Sequence, residues 1–508
     1  MKKLTALFLS MVMLTACCGA LAEEPYHISV IDSFYAENEP SANNPIIQKV
    51  EELNNVKFDV TWVVTGEADA KFNTVMASTE QPMLYVVTSG ITNNANYIDM
   101  CLNGVFWDLT DYIQKSDLFR DELTTSTALA ATAIEGRNYL FPLITSGARL
   151  GLLYRADWLE NLNAKGKNLV VPTNIEQFKA MVEAFATGDP DDNGVDDTIG
   201  FAYCDDDDEE LAYAGFDTVC SLMGGPVGWG FTDDNKLMPY YFFDQYFDTL
   251  DVFKWMYDNS YMNSDFAINT NKHAPLANNV SGSMFTTAAG VATPDYDNLN
   301  NIVGKGAWEI EAQQEFYTMD GTRVTSSTVS SGSLGGILIP KYAVKTEADL
   351  VKLLDTLAAM LAADSESNKV MTIGLEGLHY TMENGTYTQT EEQAAQLKVD
   401  REIWCTSLLP RRILSVNYGQ PDTLTTQITR KAVENEAYAV VDKSMGYMST
   451  DMRNLQLQIA TLISDARVKY IMGQIDKDGF VAARDAWLAA GGQEIIDSVN
   501  AAYLALNP

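Results

Sequence analysis

The sequence has little positive charge. Its 508 residues include 34 Lys and Arg against 69 Asp and Glu, so the formal net charge is −35 at pH 7. Proteins that bind nucleic acid need Lys and Arg to displace counterions from phosphates, and this composition argues against such a function. The hydrophobic content of 46% excludes a disordered acidic tail, because such a chain can bury a core. At roughly 150 residues per domain, we expect two to four domains.

Cysteine and histidine are also scarce. Cys17 and Cys18 lie near the N-terminus, and the other four of the six Cys are scattered without a C-x-x-C pair. Cys204 and Cys220 are candidates for a disulfide, but buried free thiols are the favoured interpretation, because a chain of this length needs no disulfides to fold. The three His residues lack the spacing of zinc ligands.

The common catalytic motifs are absent from the sequence. It contains no G-x-S-x-G, H-E-x-x-H, G-x-x-x-x-G-K-[ST] or G-x-G-x-x-G. A carboxylate pair of the glycosidase type is compatible with 69 acidic residues, but no spacing supports one. The run of acids at residues 205–210 is typical of a solvated, self-repelling segment.

Apolar runs long enough to cross a membrane are missing as well. Leu4–Leu14 is apolar and follows the basic start Met1-Lys2-Lys3, which is the pattern of a secretory signal rather than a membrane span. We assign residues 1–22 to this signal. Two cleavage positions are possible for this signal. Cys17 lies in a lipobox-like Leu-Thr-Ala-Cys, and Ala20–Ala22 resembles an ordinary cleavage site.

The lipobox is the favoured end of the signal, since Cys17 directly follows the apolar run. Lipidation of Cys17 would anchor the protein at the extracellular face of the cell membrane while its body stays in water. Cleavage after Ala22 would instead give a secreted protein. Both outcomes place the chain outside the cell.

The pattern after the signal alternates between strands and helices. Strands are predicted at His27–Asp32, Lys57–Val64 and Met83–Val87, with a helix at Pro45–Asn54 and another at about 67–79. This β-α-β-α-β series predicts a parallel sheet and an α/β fold, in which ligands gather beyond the carboxyl ends of the strands.

Three amphipathic helices are predicted further along the chain, at Asn174–Ala186, Asp244–Tyr257 and Ala348–Ala362. The leucine face of the last helix is interpreted as core packing. No Pro-rich or Ser-rich linker divides the chain, which favours two lobes joined by several crossing strands.

The stretch Gly188–Asp197 is the sharpest local signal. It matches D-x-D-x-N-G-x-x-D, the first half of a calcium-binding loop, with Gly194 at the sharp turn. Hard oxygen ligands at this spacing suit Ca²⁺, in a structural role. Position twelve is Gly200 rather than Glu, so the EF-hand is incomplete, and an Asx-type turn without metal is the alternative. The predicted ligands are Asp189, Asp191, Asn193, Val195 and Asp197.

Aromatic residues make up 10% of the chain and offer flat apolar faces for sugar rings. Trp229 lies in a glycine-rich stretch that indicates a loop, and Tyr380 and Trp404 have similarly punctuated surroundings. Trp62 and Trp158 fit the faces of a strand and a helix, and we assign them to the core.

Several segments together resemble bacterial extracellular solute-binding proteins (family 1), the lipoproteins that feed sugar ABC importers. The resemblance spans nearly the whole mature chain and rests on the order and spacing of its motifs. The calcium-loop stretch falls where larger members carry such a loop. The other matching segments are Gly104–Thr110, Tyr154–Leu159 followed by Pro172-Thr173, Gly282–Phe285 and Gly374–Tyr380.

The resemblance implies a two-lobed, periplasmic-binding-protein-like fold (type II), with the lobes joined by crossing strands around a cleft that closes on ligand. It implies a first lobe of residues 26–146 plus 291–335 and a second lobe of 147–290 plus 336–508. The sequence departs from the family at two places. Thr198 replaces the acidic residue that follows the last calcium ligand in binders of acidic oligosaccharides, and Thr286 follows Phe285 where sugar binders place an aromatic residue.

The primary hypothesis is a non-enzymatic, monomeric receptor that captures an oligosaccharide and passes it to an ABC permease by hinge closure. Trp229, Tyr380 and Trp404 are the predicted stacking residues, and Ser89, Glu37 and Arg149 are the predicted polar contacts, from their placement on loops. The alternatives are a binding protein for a peptide or other non-sugar solute and a glycan-degrading enzyme.

Overall fold

The computed structural model describes most of the mature chain, and the structural statements below concern the residues that it describes. The predicted signal segment with Cys17 lies outside them, as do Glu37, Ser89 and Trp404. The described residues are 24–34, 39, 41, 43–64, 67–88, 91, 94–115, 128–144, 146–205, 215–269, 271–292, 294–326, 333–362, 364–401 and 417–507.

The strands are numbered in chain order. They are β1 (Tyr26–Phe34), β2 (Val56–Val64), β3 (Leu84–Thr88), β4 (Leu140–Ile144), β5 (Leu150–Arg155), β6 (Trp229–Phe231), β7 (Leu237–Pro239), β8 (Ser283–Thr287), β9 (Ile310–Gln313), β10 (Phe316–Tyr317), β11 (Arg323–Ser326), β12 (Ser333–Leu338), β13 (Thr381–Glu383), β14 (Thr386–Thr388) and β15 (Ala439–Val440).

The α-helices are numbered in the same way. They are α1 (Pro45–Asn54), α2 (Ala68–Met76), α3 (Ala95–Leu102), α4 (Thr110–Lys115), α5 (Ala128–Thr132), α6 (Ala156–Ala164), α7 (Ile175–Thr187), α8 (Phe216–Leu222), α9 (Asp244–Asp258), α10 (Ala274–Ala277), α11 (Leu299–Ile302), α12 (Glu347–Leu361), α13 (Glu366–Ile373), α14 (Glu391–Arg401), α15 (Leu424–Asn435), α16 (Thr450–Ile459), α17 (Thr461–Ile471), α18 (Lys477–Trp487) and α19 (Gln493–Leu506).

The first lobe is built on a five-stranded sheet in the order β2-β1-β3-β12-β4. Strands β1, β2 and β3 are parallel, as the alternating pattern predicts, whereas β12 pairs antiparallel with both β3 and β4. Helix α1 begins where Asn44 caps the backbone N–H groups of Ile46 and Ile47 and Pro45 occupies the first turn. It buries Ile46, Ile47 and Val50 against the sheet.

The second lobe surrounds a three-stranded antiparallel sheet in the order β8-β5-β9. Every residue of β5 is buried, as expected for a strand covered on both faces. The larger core of the second lobe includes Trp158, as predicted. The Trp158 ring packs edge-on against Phe185 of α7, with 5.7 Å between the ring centroids. Helices α16 to α19 complete this core at the end of the chain.

The predicted division into lobes differs from the observed packing. Residues 336–508 were assigned to the second lobe, yet the leucine face of α12 packs in the core of the first sheet. The reason is that the chain returns to the first lobe at β12, which lies between β3 and β4. Helices α12 and α13 then pack in the core of the same lobe. Conversely, residues near Tyr296 and Leu299, assigned to the first lobe, pack against Leu153 of β5. The prediction that the leucine face forms core is confirmed.

The described cysteines are free and buried, which confirms the interpretation of Cys204 and Cys220 as thiols. Burial raises the pKa of Cys220 to about 12, so this thiol is not reactive. Among the described helices, none has the length and apolarity needed to cross a membrane.

Candidate functional site

The carboxyl ends of three first-lobe strands meet at the edge of the sheet that faces the second lobe. Strand β4 ends at Ile144, and the chain reaches the second lobe at Leu150, so this edge adjoins the crossing point. Thr88 at the end of β3 pairs with Gly335 near the start of β12. Since β1 is parallel to β3, Phe34 ends at the same edge. This is the edge where ligands gather in open α/β sheets.

The second lobe presents a matching edge. Thr287 at the end of β8 pairs with Leu150, the first residue of β5 after the crossing. The segment 199–205 runs parallel to β8, because Ala202 N–H donates to the carbonyl of Ser283 at 2.8 Å. Asp205 follows three residues later, on the continuation of this segment in the direction in which β8 runs, and its N–H donates to the carbonyl of Phe266 at 2.9 Å. The two edges together are the candidate ligand site.

The predicted polar contacts are related to these edges in different ways. Glu37 and Ser89 lie outside the described residues, but they follow β1 and β3, whose carboxyl ends lie at the first-lobe edge. Arg149 is described and half-buried, and it lies on the crossing between β4 and β5. Its carbonyl accepts a hydrogen bond from Ala288 N–H at 3.0 Å, which joins the crossing to the end of β8.

Two of the three predicted stacking residues, Trp229 and Tyr380, are buried in this structure. Trp229 is 4% exposed and belongs to the second-lobe core. Tyr380 is 2% exposed and stacks on Tyr387, with ring centroids 5.0 Å apart. Trp404 lies outside the described residues. Trp229 and Tyr380 therefore have a packing role here, and their placement does not support contact with a ligand.

The glycine-rich stretch predicted a loop at Trp229, but Gly228 in this stretch instead allows close packing. Gly228 has φ +60°, and a Cβ there would lie 2.2 Å from a carboxylate oxygen of Asp442. The glycine lets the buried carboxyl of Asp442 approach the backbone beside Trp229. Glycine-rich sequence marks exposed loops and close contacts alike, so it did not distinguish them here.

Polar contacts join the segments that cross between the lobes, and the sequence did not reveal them. Ser146 Oγ donates to the carbonyl of Ala432 at 2.9 Å. Asn435 Nδ2 donates to the carbonyl of Gln314 at 2.7 Å, and its Oδ1 accepts from Arg323 Nη2 at 2.7 Å. The partners lie more than a hundred residues apart, and no local pattern predicts such pairs.

An ion pair lies beside these contacts. Lys431 Nζ and Glu315 Oε2 are 2.8 Å apart. Hydrogen bonds from Lys431 and Tyr317, together with the charge of Arg323, lower the pKa of Glu315 to about 2. Glu315 therefore stays ionised at any physiological pH and ties α15 to the segment before β10.

A groove of about 790 Å³ elsewhere on the first lobe is not the candidate site. It is lined by Asn54, Glu347, Lys352 and neighbouring residues on one side of α12. Asn54 ends α1 two residues before the N-terminal end of β2, whereas ligands of this sheet are expected at the carboxyl ends.

The predicted calcium loop brings its oxygen side chains together. Asn193 Nδ2 donates to Asp191 Oδ2 at 3.1 Å and to Asp197 Oδ1 at 3.2 Å. The Gly194 N–H lies 3.2 Å from Asp189 Oδ2, and Gly194 makes the expected turn with φ +76°. Across the described residues, no group of three or more His, Cys, Asp or Glu side chains is arranged to hold a metal ion.

Two features of this loop nevertheless fit a cation. Asp191 Oδ1 is buried and has no hydrogen-bond partner among the described residues. Burial and the charges of Asp197 and Asp189 raise the pKa of Asp191, so the carboxylates repel one another. A divalent cation would use the free oxygen and relieve this repulsion.

The loop is tied to the core through Asn279. Asn279 Nδ2 donates to Asp191 Oδ2 at 3.1 Å, and Asn279 Oδ1 accepts from Arg155 Nη1 at 2.5 Å. The Arg155 guanidinium also binds both carboxylate oxygens of Asp157, at 2.8 and 2.6 Å. Arg155 and Asp157, which belong to the Tyr154–Leu159 motif, thus fix the position of Asn279, which in turn binds the loop.

The absence of Glu at position twelve has a steric reason. A Cβ on Gly200 would lie 2.1 Å from the carbonyl oxygen of Val182 in α7. The backbones of the loop and the helix touch at this point, and no side chain fits between them. Any cation bound in this loop must therefore be held without a ligand from position twelve.

The strand order and the crossing segments define the class of protein. The chain has the two-lobed fold of the extracellular solute-binding proteins of ABC importers, as the resemblance implied. No protein-family model matches the sequence.

Two proteins of Bacillus subtilis (strain 168) are homologous to the chain. The polygalacturonan/rhamnogalacturonan-binding protein YtcQ is 27% identical over 461 residues, covering 90% of this chain and 87% of YtcQ. The lipoprotein LipO is 26% identical over 524 residues, covering 99% of this chain and 98% of LipO.

Solved structures show the same fold at lower identity. An extracellular solute-binding protein from Bifidobacterium longum subsp. infantis has a TM-score of 0.69 and 16% identity, covering 96% of this chain and 99% of its own. The alginate-binding protein AlgQ2, crystallised without calcium ion, has a TM-score of 0.65 and 16% identity, covering 95% and 98%. An EF-hand mutant of the Streptococcus pneumoniae substrate-binding protein FusA, in complex with fructo-nystose, has a TM-score of 0.65 and 15% identity, covering 95% and 99%.

Proposed function

We propose that this protein is a non-enzymatic receptor that captures an oligosaccharide between its lobes and delivers it to an ABC permease. The similarity to YtcQ over 90% of the chain carries the proposal. The fold supports it, because carboxyl-end edges of both lobes adjoin the same crossing point. Closure about the crossing segments is the expected means of holding the ligand.

Lipidation of Cys17 would hold the receptor at the extracellular face of the membrane. The homologue LipO is a lipoprotein, and this sequence offers a lipobox-like segment that ends at Cys17. A single lipid chain gives weak binding, so a diacylated cysteine suits stable anchoring better. Globomycin-sensitive processing and mass spectrometry of the mature N-terminus test this part.

A thermal-shift screen tests the ligand class, because a compound that binds only the folded state raises the melting temperature. We expect oligogalacturonides, fructo-oligosaccharides or N-glycan fragments to raise it. At a hundredfold excess over Kd, such a ligand stabilises the folded state by about 2.7 kcal/mol. Arg149→Ala should reduce the shift, whereas Arg137→Ala should preserve it, since exposed Arg137 pairs with Asp108 away from the crossing.

Two outcomes would contradict the proposal. Stabilisation by peptides and by none of the glycans would identify a receptor for a non-sugar solute. Release of shorter sugars from an oligosaccharide by the purified protein would identify a glycan-degrading enzyme.

We further propose that the loop at residues 189–197 holds a structural Ca²⁺. Asp189, Asp191 and Asp197 would supply carboxylates, Asn193 its amide oxygen and Val195 its carbonyl. When bound, the ion would neutralise the carboxylates and fix the loop to α6 and α7. The unpartnered Asp191 Oδ1 and the raised pKa of Asp191 support the assignment.

Calcium should therefore stabilise the protein. We expect the melting temperature to rise with Ca²⁺ and to fall with a chelator, and Asp191→Asn to abolish the difference. Asp320→Asn is the control, because Asp320 also accepts turn hydrogen bonds but lies in the exposed turn 318–322. Equal melting temperatures of the parent protein with Ca²⁺ and with chelator would show that the loop is a metal-free Asx-type turn.

A further inference from the structure

A buried charged cluster lies beneath the second-lobe edge. Arg467 of α17 is 3% exposed, and its Nε donates to Asp205 Oδ1 at 2.8 Å. The hydroxyl of Tyr203 donates to the same oxygen at 2.8 Å. Asp217, in the first turn of α8, is 4% exposed and is the second carboxyl beside this guanidinium.

The cluster has an excess of acidic groups and incomplete hydrogen bonding. Asp442, on the segment after β15, is a half-buried third carboxyl whose charge acts on Asp217, and the guanidinium of Arg453 acts on Asp442 in turn. Arg467 Nη2, Asp205 Oδ2 and Asp217 Oδ1 have no hydrogen-bond partner among the described residues. Arg467 thus stands beside two buried carboxyls, Asp205 and Asp217, in a place where an uncompensated charge is expensive.

The cluster joins two points of the chain next to the candidate ligand site. Asp205 ends the segment that runs parallel to β8, and Asp217 begins α8 after residues 206–214. Arg467 acts on both carboxyls from a helix more than two hundred residues further along. The charge state of Asp217 therefore affects the interactions that hold Asp205 and the start of α8 together at the second-lobe edge.

We propose that Asp205, Asp217 and Arg467 form a proton-dependent latch, which is closed when Asp217 carries a proton and loosens when Asp217 ionises. In the protonated state, Arg467 and Asp205 form one neutral pair and Asp217 is an uncharged neighbour. In the ionised state, Asp217 is a second negative charge in the same buried volume, and movement of the start of α8 toward water relieves it.

The surroundings of Asp217 set the pH of this change. Burial raises its pKa to about 6, with Arg467 lowering it, the Asp442 carboxyl raising it and a hydrogen bond to Tyr240 lowering it. The thiol of Cys220, on the same helix, stays neutral because its own pKa is about 12. Within the described part of the chain, the other groups that act on the guanidinium are the neutral phenols of Tyr203 and Tyr246, whose pKa values burial raises.

The direction follows from linkage. Asp217 binds its proton more tightly in the closed, buried state than in water, so protonation favours closure and ionisation favours opening. With a pKa of about 6 in the closed state, the opening equilibrium should increase about tenfold between pH 5 and pH 7.5.

Hydrogen exchange on the full mature chain tests the latch without any ligand. We compare the parent protein with Asp217→Asn at equal pH, so that intrinsic exchange rates cancel. Amides within residues 201–205 and 215–222 should exchange faster in the parent than in the variant, and the ratio of the two rates should be about tenfold larger at pH 7.5 than at pH 5. Below about pH 4, where Asp217 is protonated in the open state as well, the two proteins should agree. Amides of β1 in the first lobe serve as the internal control and should not differ.

A second variant separates the latch from general stability. Arg467→Met should speed exchange in residues 201–205 and 215–222 at both pH values, because both carboxyls lose their counter-charge. Equal exchange of the parent and Asp217→Asn at pH 7.5 would overturn the proposal. A difference of the same size in β1 would also overturn it, since the effect would then be global.

The consequence for ligand capture rests on the proposed function. With an oligogalacturonide mixture as the probe, the parent should bind more tightly at pH 5 than at pH 7.5, and Asp217→Asn should bind equally at both. Absence of binding by either protein at either pH would count against the proposed function alone, because hydrogen exchange reports the latch independently.

Discussion

Replacing Arg155 with Met is expected to lower the free energy of unfolding by about 3 kcal/mol. Arg155 is 1% exposed and binds both oxygens of Asp157, and its guanidinium lies 4.6 Å from the Trp158 ring centroid. Removing one partner of a buried ion pair costs about 3–5 kcal/mol, because the other charge is left uncompensated. The lower end applies here, since the Asp157 side chain keeps 25% of its surface in water.

The same substitution should weaken calcium binding without touching any of the predicted ligands. Asn279 loses its bond from Arg155 Nη1, and the amide that holds Asp191 in place becomes free to turn. We therefore expect a smaller calcium-induced rise in melting temperature for Arg155→Met than for the parent. Lysine is not an adequate replacement, because it lacks the planar fork that binds Asp157 and Asn279 together.

Urea unfolding with and without Ca²⁺ measures both effects. Arg137→Met is the matched control, since Arg137 also pairs with an Asp but at 50% side-chain exposure. An exposed pair contributes less than about 1 kcal/mol, so this control should unfold near the parent. If Arg155→Met unfolds within 1 kcal/mol of the parent, the pair is not the support that the geometry indicates.

Local sequence patterns predicted the first lobe well. The helix Pro45–Asn54 was predicted with its observed bounds, because a cap, a proline and one apolar face all act within a single turn or two. The strict alternation of Phe58, Val60 and Trp62 likewise identified β2. Such features depend on neighbours in sequence, which a single chain displays directly.

Features that depend on distant partners were missed. Nothing in Ser333–Leu338 shows that this strand enters the first sheet between β3 and β4, and the predicted lobe boundary was displaced as a result. The prediction of Trp229 as an exposed stacking residue lacks support for a similar reason. Residue type marks Trp229 as a flat apolar surface, but the Asp442 carboxyl packed beside Gly228 belongs to a segment two hundred residues away.

The candidate site could be predicted only as far as topology allows. Ends of parallel strands meet at one edge, so placing ligand contacts after β1 and β3 followed from the strand pattern alone. The ion pair of Glu315 with Lys431 and the buried Asp205–Arg467 pair join residues with no common motif. No motif distinguishes Glu315 or Asp205 from the rest of the 69 acidic residues, most of which we expect to be solvated.

Asp217→Asn is expected to stabilise the second lobe at pH 7 by about 3 kcal/mol. Burial raises the pKa of Asp217 from an ordinary 3.8 to about 6, and one pKa unit corresponds to about 1.4 kcal/mol. Asparagine has the same shape and keeps hydrogen-bonding capacity, but it carries no charge to bury. Asp442→Asn should have a similar effect, since burial also raises the pKa of Asp442 to about 6.

The sign of the pH dependence follows from the raised pKa. The folded protein holds the Asp217 proton more tightly than the unfolded chain does. The resulting stabilisation is fully present below about pH 4 and is lost as the pH rises through about 6. The advantage of Asp217→Asn over the parent should therefore be small at pH 4 and grow to its full size by pH 7.

Glu315 acts in the opposite direction in a separate window. Its pKa is lowered to about 2, so its contribution is present above about pH 4.5 and is lost as the pH falls from there through 2. Comparing each variant with the parent at the same pH removes this background, because Glu315 is common to both proteins.

Denaturant unfolding at half-unit steps from pH 4 to 7.5 measures these curves. The double variant Asp217→Asn/Asp442→Asn should gain less than the sum of the single variants at pH 7, because Asp442→Asn removes a charge that raises the pKa of Asp217. Parallel curves for the parent and Asp217→Asn would show that Asp217 titrates as an ordinary solvated carboxyl. The cluster beneath the second-lobe edge would then be open to water, and its latch would have no proton to respond to.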